Sequence, residues 1–133
     1  MVLNLKKEGE GMLELTNAEE SIMNCIWDLG EDVSVADLMK NLEERYKKIY
    51  ARTTISVFMS FLRDKGYVTY HKKSHAYLYH PIISREAYRR YKVKDLMERC
   101  FDGSLLEFEK TVLEISKPEK NELKEILTLL QEN

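Results

Sequence analysis

Arg52, Thr53, Thr54, Ser56, Val57 and Ser60 fall in one short run, "ARTTISVFMSFLRDKG", and their chemistry is that of reading a base edge. At helical spacing Ile55, Phe58, Met59 and Leu62 share one side, as positions i, i+3, i+4 and i+7 should. The opposite side would ordinarily be solvated by Lys and Glu. Here it is small and hydroxylated, with Thr53, Ser56, Val57 and Ser60, and the strong charges stand at the ends, at Arg52, Arg63, Asp64 and Lys65. Ser and Thr hydroxyls donate to or accept from several bases, and Thr and Val methyls suit the thymine methyl in the major groove. Arg52 and Lys65 are placed where phosphates would run past such a helix. The competing reading of the same pattern is a face packed on another protein surface.

Other groups capable of chemistry are few. His71, His75 and His80 all lie within ten residues. Alternation along a strand sends His71 and His75 to similar sides and His80 elsewhere, so solvated or phosphate-facing imidazoles are expected and no metal site. Cys25 and Cys100 belong to no CxxC pair. Each sits in an apolar helical stripe, Cys25 with Ile22, Ile26 and Leu29, Cys100 with Val93, Leu96 and Met97. Both are expected as buried small hydrophobes in a reducing compartment. No phosphate loop, nucleophile elbow or paired-carboxylate pattern is present, so neither catalytic residues nor a cofactor is expected.

The elements that must position the hydroxylated helix are legible around it. Thr16-Asn17-Ala18-Glu19 is a capping box that opens a helix with the stripe Ala18, Ile22, Cys25, Ile26 and Leu29, closed at Gly30. Ser34, with Asp37 three residues on, opens a second helix that buries Val35, Leu38, Met39 and Leu42. The hydroxylated helix is third and stops at Gly66. "YVTYH" and "AYLYH" are then aromatic and β-branched runs joined by Lys72-Lys73-Ser74-His75, a short hairpin with a basic tip, closed by Pro81. This order predicts a mainly α fold, a winged helix-turn-helix, in which the second helix crosses the nucleic-acid backbone and the third enters the major groove. Lys72 and Lys73 would reach neighbouring phosphates or the minor groove.

Ser84 caps a long fourth helix whose first half is basic, with Arg85, Arg89, Arg90, Lys92 and Lys94; Arg89 joins the candidate phosphate contacts. Beyond Phe101-Asp102-Gly103 come two acidic amphipathic helices, one with Leu105, Phe108, Val112 and Leu113, the other with Leu123, Ile126, Leu127 and Leu130. Too few residues remain there for an independent core, so their apolar faces are expected to meet a second copy of the chain. The expected organisation is a tail over 1–14, a DNA-binding winged helix over 15–83 and a helical dimerisation region over 84–133.

Length and composition agree. With 133 residues, 44% hydrophobic and 33% charged, five Gly and two Pro, the chain fits an ordinary soluble helical protein of one domain, or of a domain plus a small appendage. No stretch resembles a membrane span or a signal peptide, which predicts a cytoplasmic protein without membrane insertion. The net charge of −2 hides an uneven distribution. Residues 47–99 hold thirteen Lys and Arg against four Asp and Glu, between two acidic ends. Such a basic centre is the electrostatic footprint of a phosphate-binding protein.

"LTNAEESIMNCIW", the "TTISVFMSFLRDKGYV" helix, the short wing and "ISKPEKNELKEIL" together resemble the BlaI/MecI penicillinase-repressor family, which includes related copper-responsive repressors. The likeness runs from about Leu15 to the C-terminus, and the T-x-A-E-x-x-x-M-x-x-I-W pattern of the first helix is its most specific part. It implies a homodimeric winged-helix repressor on an inverted-repeat operator in double-stranded DNA, with C-terminal helices intertwined between subunits. In members controlling β-lactam resistance, a membrane sensor protease triggers repressor cleavage near the end of the fourth helix or the start of the fifth.

Three departures limit what carries over. The family often has Arg two residues after its Thr-Ile-type start, where this chain has Ser56, and a commonly basic site near the helix end is Phe61. The family's operator sequence therefore does not transfer. The Asn-Phe bond of the cleaved repressors is missing, with Glu107-Phe108 the nearest pair, and the Cys-x-Cys pairs of the copper-responsive branch are absent. The expectation is a transcriptional repressor for a β-lactam-response or related operon, relieved by cleavage or by dimer disruption. The alternative is a winged helix that binds protein and not DNA, but it has no need of the basic centre.

Overall fold

In the computed structural model, which describes residues 11–132, the Thr16 hydroxyl accepts from the Glu19 amide while the Glu19 carboxylate accepts from the Thr16 amide. This closed box starts α1 (Asn17–Leu29), which ends at Gly30 with φ 91°. Most of the expected 1–14 tail lies outside the described residues. Ser34 and Asp37 make the same reciprocal pair at the start of α2 (Val35–Tyr46). Lys47, in the left-handed region at φ 56°, ends α2. After a short connection α3 (Arg52–Asp64) begins.

The hairpin is β1 (Val68–Lys73) and β2 (Ala76–Pro81), antiparallel, with Val68 opposite Pro81 and Lys73 opposite Ala76. Only Ser74 and His75 therefore form the tip. Lys72 and Lys73, expected there, are the last pairs of the ladder, because Ser74 accepts φ 57° and closes the turn tightly. A third segment joins the sheet edge: the Val33 amide donates to the Tyr79 carbonyl at 2.9 Å and the Tyr79 amide to the Val33 carbonyl at 2.8 Å. The turn after α1 is thereby bolted to the wing.

One stripe from each element meets in the middle. Ile22, Met23, Cys25 and Ile26 of α1, Leu38 and Leu42 of α2, Ile55, Met59 and Leu62 of α3, and Tyr67 and Val68 are all fully buried. Val35, Met39, Phe58 and Trp27 pack half-buried at the margin. Burial of these side chains, each contributing roughly 1.5–3 kcal/mol, is the main term holding the three helices and wing together. Trp27 is a packing residue: its indole N–H donates to the Ile83 carbonyl at 2.9 Å and its ring lies 5.4 Å from that of Tyr88.

Ser84 accepts from the Ala87 amide at the start of α4 (Arg85–Cys100), and Ala87 and Tyr88 complete the core. One compact unit ends at Lys92 and a second begins at Val93. The second contains the end of α4, then α5 (Leu105–Ile115), capped by Ser104, and α6 (Lys120–Glu132). Within residues 93–132 not one residue is buried. This corrects one expectation: Cys25 is buried, but Cys100 is exposed. Its stripe exists, yet Val93 and Leu96 beside it are also exposed, so nothing in that unit covers the thiol.

Candidate nucleic-acid interface

The apolar stripe of α3 faces the core and leaves Arg52, Thr53, Thr54, Ser56, Val57, Ser60 and Phe61 exposed together. The Ser56 hydroxyl donates to the Arg52 carbonyl at 3.1 Å and the Ser60 hydroxyl to the Ser56 carbonyl at 3.2 Å. Both hydroxyls keep acceptor capacity outward and can rotate to donate when a better acceptor arrives. Ala51 begins α3 with no side-chain cap. The first amides of α3 are thus open to an outside acceptor, a phosphate oxygen included.

The wing stands beside this face. A cleft is lined by Ser34 at the cap of α2, Arg52 and Ser56 of α3, and His75, Tyr77 and Tyr79 of the hairpin. Lys72 and Lys73 are exposed on β1, and the Lys72 ammonium lies 5.8 Å from the centre of the Tyr77 ring. The structure so gathers Arg52, Ser56 and the wing around one opening wide enough to be reached from solvent. Arg89 is exposed on the first half of α4.

Lys65 is placed differently. Its ammonium lies 2.6 Å from the Glu19 carboxylate and donates to the Glu14 carbonyl at 3.0 Å. Glu19 is buried, which alone pushes its pKa up, but the Lys65 and Thr16 hydrogen bonds outweigh burial and hold it below its ordinary value. Three other basic side chains are also held by acids of α1. Arg85 meets Asp28 at 2.6 Å, where Arg45 also binds, and Lys92 approaches Glu20 at 3.8 Å. The basic centre therefore divides into charges that tie α1 to its neighbours and charges, at Arg52 on α3 and at Lys72 and Lys73 on the wing, that stay exposed. Burial and the hydrogen bond to Glu20 raise the Tyr88 phenol far above its ordinary value, so it stays a donor.

Sequence reasoning passed over Tyr77, which lines the cleft from the wing, and Lys48 and Ile49, which are exposed between α2 and α3. Ile49 is 82% exposed, although its neighbour Tyr50 is packed against the core. The only signal was an apolar residue inside a loop. At the other end of the chain, the residues expected to meet a second copy are all uncovered or half-covered: Leu105, Leu123, Ile126, Leu127 and Leu130 are exposed, Phe108 and Val112 intermediate.

The histidines require a correction. His80 pairs with Thr69 in the ladder, and His71 is two residues from Thr69 on the same strand. His71 and His80 thus share a face, with ring centres 5.4 Å apart, and both approach Asp32. His75 sits at the tip, away from them. Alternation counted along one strand missed this because facing depends on the cross-strand register.

A model of the penicillinase repressor family matches residues 15–132. The penicillinase repressor of Bacillus licheniformis is 23% identical over 120 residues, covering 90% of this chain and 91% of that protein. The solution structure of the DNA-binding domain of the repressor BlaI is 24% identical, with a TM-score of 0.48, and covers 56% of this chain and 88% of that one.

Proposed function

The chain belongs to the penicillinase repressor family, a family of repressors and not of enzymes, and we propose that it represses transcription as a homodimer on an inverted-repeat operator. The observation that carries this reading is the exposed α3 face, Arg52 to Ser60, uncharged along its centre and flanked by the basic wing. A helix must bring its backbone close to base edges to read them, and short hydroxylated side chains allow that approach. Arg52, Lys72, Lys73 and Arg89 clamp phosphates on either side, which fixes register without reading sequence. Thr53, Thr54, Ser56, Val57 and Ser60 read the bases. Lys65 serves mainly to hold Glu19, and reaches a phosphate only by leaving that pair.

The exposed faces of α5 and α6 support dimerisation. Leu105, Leu123, Ile126, Leu127 and Leu130 are each more than a third exposed, so these apolar faces are left for a partner to cover. A second copy covers it and places two α3 helices on two half-sites. Among the described residues no helix is long and apolar enough to cross a membrane. We place the protein in the cytoplasm, on DNA. Its operon belongs to the β-lactam-response type or a relative, and a membrane sensor protease system relieves repression by cleavage or by loss of the dimer.

Footprinting with the full chain on DNA flanking its own gene tests the reading. Two protected half-sites separated by a whole number of turns, about 10 bp each, are expected. Protection no stronger than on unrelated DNA would refute it and would favour a protein-binding winged helix.

A further inference from the structure

We infer that Asp32, His71 and His80 form a binding site for a divalent first-row transition ion such as Zn²⁺. The three side chains come from the turn after α1 and from both strands of the wing, and the backbone brings them together. The Val33–Tyr79 bridge sets Asp32 opposite His80, while the hairpin register sets His71 diagonal to it on the same face. Val33 and Tyr79 point to the core, so their neighbours Asp32 and His80 point outward. Asp32 adopts φ 57°, a left-handed conformation that Asp tolerates better than most residues.

The donor atoms are already close. His71 Nε2 lies 3.6 Å and His80 Nδ1 3.9 Å from the same Asp32 oxygen, Oδ1, and all three donor atoms lie within 4.8 Å of one another. Zinc holds nitrogen and oxygen donors at about 2.0–2.2 Å, which separates neighbouring donors on a tetrahedron by roughly 3.4 Å. The two carboxylate distances need to shorten by only a few tenths of an ångström, and the imidazole separation by about 1.4 Å at most. These side chains are exposed or half-exposed, so rotation about χ1 and χ2 supplies the movement without disturbing the core. Two imidazoles and one carboxylate select borderline transition ions, because Mg²⁺ and Ca²⁺ prefer oxygen ligands throughout. Water completes the coordination, as in other three-ligand sites.

A bound ion would pin both strands of the wing to the turn after α1. Its bearing on operator affinity rests on the preceding reading, whereas binding itself does not, and the decisive titration is done without DNA. Zn²⁺ is titrated into the full chain, with His71→Ala, His80→Ala and Asp32→Asn as site variants. His75→Ala and Cys100→Ser serve as controls, since an exposed thiol or the tip imidazole could also take zinc. One ion per chain is expected, with affinity reduced about tenfold or more in each site variant and unchanged in both controls. Co²⁺ should bind without a sulfur-to-metal charge-transfer band. A charge-transfer band, zinc affinity lost in a control and kept in the site variants, or equally tight binding of Mg²⁺ would overturn the site. Preserved folding of all variants is read from circular dichroism.

Discussion

Helices α3 and α6 carry nearly the same pattern and meet opposite fates. In α3 the stripe Ile55, Met59 and Leu62 is completely buried. In α6 the stripe Leu123, Ile126, Leu127 and Leu130 is 38–64% exposed. Both are thirteen-residue amphipathic helices, so neither length nor periodicity distinguishes them. The difference lies in what their own chain offers. Around α3 stand α1, α2 and the wing, each with a complementary stripe, whereas the second unit buries nothing among its described residues. A periodic stripe states that a face must be covered, not by which molecule. On the proposed reading function divides along the same line: the polar face of α3 meets DNA, and the apolar faces of α5 and α6 meet a second copy of the chain.

The largest effect expected from this division is the salt dependence of operator binding. If each winged-helix unit places about four basic groups on phosphates, a dimer neutralises roughly eight, and log K falls with log salt at a slope of about −7. Affinity then drops by about 10⁴ between roughly 50 and 200 mM salt. The acidic second unit should add nothing to this slope. A slope shallower than about −2 in a fluorescence-anisotropy series would take the basic face off the DNA.

Next in size is the loss of the dimer. Leu127→Asp would place a carboxylate in an apolar contact, which favours separated chains. Two half-sites held by one dimer bind at high effective concentration, an advantage of about 10²–10³ that separate monomers forfeit. The variant should sediment as a monomer, keep its circular dichroism, lose that factor on the full operator, and show about half the salt slope. Ending the chain after Phe101 should do the same, because every buried residue among those described lies between Leu15 and Tyr88. A monomer that binds the full operator as tightly as the intact protein would leave α6 without a role in repression.

A smaller effect tests whether the basic centre is divided as described. Lys65→Met strands the buried Glu19 carboxylate and should cost about 2 kcal/mol of stability at neutral pH, measured by urea unfolding. Glu19 has its folded pKa held below the ordinary 4.5. Its contribution is therefore complete above the unfolded value and disappears as pH falls through the lower, folded value. The difference between Lys65→Met and the native chain should shrink in acid below about pH 4.5. Lys72→Met, on the exposed wing, should leave stability unchanged and weaken binding to every DNA alike.

These cases also show what was legible beforehand. The capping boxes at Thr16 and Ser34 are local, each closed within four residues, and the helices begin where the sequence places them. The α3 face was readable because its hydroxyls break the usual rule for a solvated surface. The Glu19–Lys65 pair was not, since it spans 46 positions and only packing brings the two together. The Asp32, His71 and His80 group was hidden for a related reason: it depends on the pairing register of two strands and a bridge from a turn. Cys100 was misread because its stripe is real but its cover is not supplied within its unit.

The smallest effect is the one that decides whether α3 reads sequence at all. Thr54→Ala or Ser56→Ala removes a hydroxyl from an exposed position, so neither touches the core and stability should stay within about 0.5 kcal/mol. On the true operator each lost base contact should cost roughly 1–2 kcal/mol, about five- to thirtyfold. On unrelated DNA, where phosphate contacts dominate, the change should be negligible. For Ser56 the loss sits at the low end, because its hydroxyl in the free protein already donates to the Arg52 carbonyl and must give up that bond to donate to a base. Thr54 also offers a methyl, so Thr54→Val, which keeps the methyl and removes only the hydroxyl, separates a thymine contact from a hydrogen bond. Equal losses on operator and unrelated DNA for all three variants would show that the polar face of α3 only grips the backbone, and specificity would then have to come from the wing or from the shape of the DNA.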